Sequence, residues 1–240
     1  MTQVKNGWAL MGLLLVGLGG CAKFPATDAG TVTTRLTFKM RMDGPIRTGT
    51  ESGAGGVPYV YIVALRLSQD DNPTTEGPIP VIAPPWANGF VAGHATHYIA
   101  WDPTASSEFT IYRFINPELQ QWAATGIPVT FRPVTPGDNQ IEFEVDLAQL
   151  EPNPDEAAKV RSIQVNFLTM DSVPQTGSSK EWDALGDRRL PSEINTFLTA
   201  TVRANGLFNN QRAGEIEPRL DQSDPALDLV DWSLEVRLRN

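Results

Sequence analysis

From residue 32 the chain alternates. Val32, Thr34, Leu36, Phe38, Met40 and Met42 share one parity, and Thr33, Arg35, Lys39 and Arg41 take the other, the period of two that marks a half-buried strand. A second row holds Tyr59, Tyr61, Val63, Leu65 and Leu67, but Val60, Ile62 and Ala64 between them are also apolar, which predicts a strand covered on both faces and central in its sheet. The alternation is cleanest in two places. Ile141, Phe143, Val145 and Leu147 oppose Glu142, Glu144 and Asp146, and Trp232, Leu234, Val236 and Leu238 oppose Glu235, Arg237 and Arg239. Shorter runs predict further strands over residues 80–83, 89–91, 96–101, 109–115, 127–132, 162–170 and 196–204. Turn formers such as Asp70-Asp71-Asn72-Pro73 and Pro136-Gly137-Asp138-Asn139 separate several of them. Only residues 117–123 and 155–160 read as helical turns. About ten short strands, with no internal repeat or central linker, predict an all-β fold: one two-sheet antiparallel β-sandwich over residues 32–240. The last strand brings a full hydrophobic face at the C-terminus, so the fold should close only when it docks.

Composition agrees with this reading. The 240 residues include 20 Gly and 19 Pro, too many breakers for long helices, while 41% hydrophobic residues with six Trp and ten Phe supply a core. The 28 acids against 19 bases leave a net charge of −9. A nucleic-acid partner is not expected, because binding to a phosphate backbone needs a basic surface.

The first twenty residues contain Lys5, no acid, and a short apolar run from Trp8 to Leu18. That run is too short for the roughly 20 residues of a membrane span and reads as the hydrophobic region of a secretory signal. It ends in Leu18-Gly19-Gly20-Cys21, and Cys21 is the only cysteine. This arrangement resembles the lipobox of bacterial lipoproteins. The resemblance implies cleavage before Cys21, a diacylglyceryl group on its sulfur and a membrane partner held through that anchor. Residues 1–20 would then be the signal and 21–31 a short linker. Because residue 22 is Ala rather than Asp, the resemblance favours the outer membrane of the cell envelope in a host that has one.

The body, from the Tyr-rich row at 59–67 through Trp101-Asp102 to the strand from Asn139 to Leu147, resembles DOMON-like and family 9-like carbohydrate-binding sandwiches. That resemblance implies a sandwich that binds without turnover.

No motif for nucleophilic catalysis, phosphate binding or a zinc protease is present, and the two histidines, His94 and His97, would point to opposite faces of a strand. Carboxylates cluster twice. Asp70, Asp71 and Glu76 sit in one loop, and a run from Glu215 to Asp231 includes Glu217, Asp221, Asp224 and Asp228. Hard oxygen donors on loops are what calcium prefers; Asp70, Asp71 and Glu76 are the candidate ligands, and no other cofactor is expected. Trp86 and Trp182, the latter followed by Asp183, lie outside clean alternation and are candidate loop residues for stacking on a sugar ring. The expectation is an envelope lipoprotein whose non-catalytic sandwich binds a glycan or another envelope component. Two alternatives stay open: an assembly lipoprotein that docks a protein partner, and a hydrolase with a carboxylate pair.

Overall fold

A computed structural model of the protein describes residues 33–49, 58–82, 88–173 and 180–239. Among these residues the strands begin with β1 (Thr33–Met42), β2 (Val60–Ser68), β3 (Pro78–Pro80), β4 (Val91–Gly93), β5 (His97–Trp101), β6 (Phe109–Phe114) and β7 (Trp122–Gly126). They continue with β8 (Thr130–Phe131), β9 (Gln140–Asp146), β10 (Ser162–Met170), β11 (Trp182–Ala184), β12 (Leu198–Thr201), β13 (Gly206–Asn209) and β14 (Leu229–Arg239). Two one-turn helices, α1 (Leu147–Leu150) and α2 (Pro154–Ala157), follow β9. No helix among the described residues is long and apolar enough to cross a membrane.

The strands form two antiparallel sheets packed together as the predicted β-sandwich. Sheet A runs β13-β14-β1-β9-β8, and sheet B runs β11-β10-β2-β5-β6-β7, with β12 also pairing β10. The strands β3 and β4 make a separate ribbon. The first and last strands meet in the middle of sheet A, where Phe38 of β1 lies opposite Leu234 of β14 and Phe143 of β9. Alternation puts Leu36, Phe38 and Met40 inward against Tyr61, Val63 and Leu65 of β2 in one buried cluster. Aromatic rings join the sheets: Phe38 meets Phe167 edge-on at 6.5 Å, Phe167 stacks on Trp232 at 5.7 Å, and Phe109 meets Phe143 at 5.4 Å. Strand β2 is central, as its two apolar faces predict, and pairs with β10 and β5.

The outer face of sheet B carries a second apolar cluster. Ile62, Ala64, Tyr98, Leu168 and Met170 from the strands pack there with Phe90, Ala95 and Leu119 from connecting segments. Polar side chains of β10 tie those segments down. The Asn166 carboxamide donates to the carbonyls of Pro78 and Thr196 and accepts from Leu185 N–H, and Gln164 donates to Thr75 O.

Several expected elements shift. Residues 117–123 were expected to turn helically, but the Asn116 carboxamide accepts from the N–H groups of Gln120 and Gln121. That tight turn sends Trp122 back as β7, opposite Phe114. Within the expected strand at 127–132 only Thr130 and Phe131 pair, and the helical turn at 155–160 is α2 and the turn that follows it.

Candidate functional site

Among the described residues, a concavity of about 470 Å³ opens on the outer face of sheet B. Its floor comes from alternation: Ile62 of β2, Tyr98 and Ala100 of β5, Tyr112 of β6 and Trp122 of β7 all line it. Tyr98 and Tyr112 are direct cross-strand partners, and their rings stack at 4.6 Å with only 10° between planes. Phe90 closes one side, 5.1 Å from Tyr98 and perpendicular to Trp122 at 5.5 Å. Of these rings Trp122 is the most open, 40% exposed.

The rim is polar and ordered. Asn88 donates to Leu119 O and accepts from the N–H groups of Phe90 and Val91, which fixes the turn that carries Phe90. Lys180 is buried below that turn and donates to Gly89 O at 2.6 Å; burial lowers its ammonium to about 8. On the opposite rim Asp102 accepts from the Thr104 N–H and hydroxyl, and the Tyr59 hydroxyl donates to Asp224 at 2.8 Å. Burial, reinforced by the neighbouring Tyr112, pushes the Tyr98 phenol far above its ordinary value, so it remains neutral. Stacked rings on the floor and hydroxyl, amide and carboxylate groups on the rim suit a ligand with flat apolar faces edged by hydroxyls.

A second concentration of chemistry lies at the far edge of sheet B. Asp183 of β11 and Glu217, Asp221 and Asp228 of the β13–β14 loop are all buried. Asp183 accepts from Leu229 N–H and Ala184 N–H, and Asp228 from Leu220 N–H and Gln222 N–H. Asp221 accepts from Arg188 N–H. Glu217 accepts from Gly186 N–H at a residue with φ of 96°, where a side chain would press on the Glu193 carbonyl. Burial first, and mutual repulsion second, push Asp183 and Glu217 well above the ordinary carboxylate range.

The residues singled out from sequence are distributed differently. Cys21 and Trp86 lie outside the described residues. Trp182 was expected on a loop; it is buried on β11 opposite Met170, and the Arg188 guanidinium covers its ring at 5.1 Å. Neither Trp182 nor Asp183 lines the aromatic cavity. Asp70, Asp71 and Glu76 stay exposed, with Asp71 paired to Arg161. Among the described residues, the carboxylates brought within metal-ligand reach of one another are Asp183, Asp221 and Asp228 instead. His97 is a packed residue, buried with Nδ1 on the Thr96 hydroxyl, and burial lowers it to about 4.

The chain matches no protein-family model, no curated protein and no solved structure. Its function is therefore argued from the two sites themselves. The signal for the cavity was available: Tyr98 and Tyr112 are aromatic residues on the face opposite Ile99 and Ile111, where a one-sided strand would carry polar groups.

Proposed function

We propose that the protein is a lipid-anchored envelope lipoprotein whose sandwich binds carbohydrate, without turnover, in the aromatic cavity on sheet B. The anchor rests on the sequence around Cys21. The observation that carries the binding reading is the stacked Tyr98–Tyr112 pair with Trp122 beside it, a concave aromatic surface edged by Asn88, Asp102 and Thr104. Sugar rings offer flat C–H faces to such a surface and hydroxyls to its rim. Asp102 is the one carboxylate among the described residues that line the cavity, whereas glycoside hydrolysis uses two.

Replacing Trp122 or Tyr112 by Ala should weaken oligosaccharide binding about two- to tenfold, the worth of one ring stack. The melting temperature should fall less for Trp122→Ala than for removal of Phe90, because the Trp122 ring is 40% exposed and Phe90 only 5%. Glycan-array binding followed by titration calorimetry checks this. A parent protein that binds no glycan on the array would remove the reading. A second reading, docking of a protein partner, draws on Ile115, Ile127 and Val129, which stand exposed on either side of β7 in the sequence. In that case Ile127→Asp would disrupt the complex while Tyr112→Ala would not.

A further inference from the structure

The carboxylates at the edge of sheet B feel one cation at a distance, Arg189, whose charge reaches Asp221 and Asp228 without pairing to them. Among the described residues, no lysine or arginine forms an ion pair with Asp183, Glu217, Asp221 or Asp228. The nearest guanidinium groups are turned to other acids, Arg188 to Glu181 and Arg189 to Asp187. Besides a carboxyl–carboxyl hydrogen bond between Asp221 and Asp228, the hydrogen bonds shown to these four carboxylates come from backbone N–H groups. Two oxygens accept none. Glu217 Oε1 and Asp221 Oδ1 are buried without a partner, and Glu217 itself is only 2% exposed. Asp221, 7% exposed, is one of the three carboxylates whose oxygens converge, so its unpartnered side chain belongs to that cluster, whereas Glu217 feels the repulsion of all three from outside the converging group. An unpaired carboxylate in a dry interior is among the most costly groups a fold can hold.

The geometry supplies the remedy. Oxygens of Asp183, Asp221 and Asp228 lie within 4.8 Å of one another. Two oxygens that share a calcium ion, each 2.3 to 2.6 Å from it, can be at most about 5.2 Å apart, so the three fit one coordination sphere. The donor set is all hard oxygen, with no thiolate or imidazole, and two of the three residues come from an irregular loop whose backbone carbonyls and waters can complete six to eight ligands. We infer that Asp183, Asp221 and Asp228 form a calcium site that clasps the β13–β14 loop to β11 at the edge of sheet B. Sequence had placed candidate calcium ligands on the exposed loop after β2; the buried cluster is a different site, assembled from residues 183, 221 and 228.

Calcium chloride should bind the chelator-treated full chain at one ion per chain in titration calorimetry. At a hundredfold excess over Kd it should raise the melting temperature by about 5 to 10 °C. Terbium should bind the same site and emit on excitation of Trp182, the residue before Asp183, and calcium should quench that emission by displacement. Asp221→Asn and Asp183→Asn should each weaken calcium binding at least tenfold, whereas Asp70→Asn should leave it unchanged. Should one variant fail to fold, the other variant and terbium emission from the parent still decide. The inference is overturned if calcium produces neither heat nor a melting shift, or if magnesium chloride binds as tightly. It is equally overturned if Asp70→Asn abolishes the response, or if Asp221→Asn melts above a parent indifferent to calcium, the behaviour of carboxyls that share protons.

Discussion

The two outward faces of this sandwich follow different rules. On sheet A the outward positions carry charge, and the charges pair across neighbouring strands. Arg35 sits between Glu144 and Asp146 at 2.9 and 2.6 Å, Lys39 meets Glu142 at 2.9 Å, and Arg41 approaches Asp231 at 3.5 Å. On sheet B, Ile62 and Ala64 of β2, Tyr98 and Ala100 of β5, Tyr112 and Phe114 of β6 and Leu168 and Met170 of β10 make the outward face apolar and aromatic around the cavity, while Arg66, Gln164 and Asn166 farther along β2 and β10 hydrogen-bond to one another or to the connecting segments. Closing a sandwich requires only the two inner faces to be apolar. A second apolar face is surplus to that requirement, and here it does two things: it holds connecting segments against it and leaves Tyr112 and Trp122 partly accessible at the cavity. The contrast therefore separates what this chain needs in order to fold from what it has available to bind.

That separation assumes one inner core beneath both faces, and β14 is the place to break it. Trp232, Leu234 and Val236 are buried from the middle of sheet A, and each contributes roughly 1.5 to 3 kcal/mol. A chain ending before Trp232 should lose a sum comparable to the 5 to 15 kcal/mol of an entire domain. It should show no cooperative melting by near-ultraviolet circular dichroism. A truncated chain that stays soluble and melts sharply would mean that sheet B stands without sheet A behind it.

Strands such as β9 and β14 were legible in the sequence because one face is charged and the other apolar, so parity alone reveals both faces. The nine-residue β10 was legible by the same parity, Ile163, Val165 and Phe167 alternating with Ser162, Gln164 and Asn166, although its polar positions are buried too. What escaped was set by partners distant in the chain. All five residues of β7 are exposed, so it has no apolar parity to read, and only pairing with β6 makes it a strand. The three-residue β11 is buried through Thr169 and Met170 of β10, contacts that its own sequence does not reveal. The carboxylate cluster was half legible: the run from Glu215 to Asp231 stood out, but nothing local distinguishes Glu217, Asp221 and Asp228, which the fold buries, from Glu215, which it leaves exposed. Asp183 joins them only because β11 is packed beside that loop.

The second test sharpens the contrast on sheet B. Phe90 is 5% exposed and touches Tyr98, Phe114 and Trp122. Phe90→Ala should cost about 3 to 5 kcal/mol, the range for deleting a packed aromatic side chain. It should also enlarge the cavity and change which ligands it accepts. Urea denaturation gives the energy. A loss below about 1 kcal/mol would mean that the outer cluster is not a packed layer, and the ring wall would then be too soft to orient a ligand.

The smallest expected effect belongs to sheet A. Lys39→Ala removes one partner of an ion pair in which both side chains remain in contact with water, at 45% and 29% exposure. Solvent screens such a pair, and holding two long side chains in one geometry costs entropy that offsets most of the attraction. Nor does the deletion strand a charge, because Glu142 still accepts from the Gln140 carboxamide at 3.1 Å and keeps its access to water. Stability should therefore change by no more than about 0.5 kcal/mol, a melting shift of about 2 °C or less, and 0.5 M salt should erase most of the difference. If Lys39→Ala instead destabilised the protein as much as Phe90→Ala, the charges of sheet A would be acting as one coupled network rather than as a solvated face. The asymmetry between the two faces would then not distinguish the surface proposed to bind from the surface that only faces solvent.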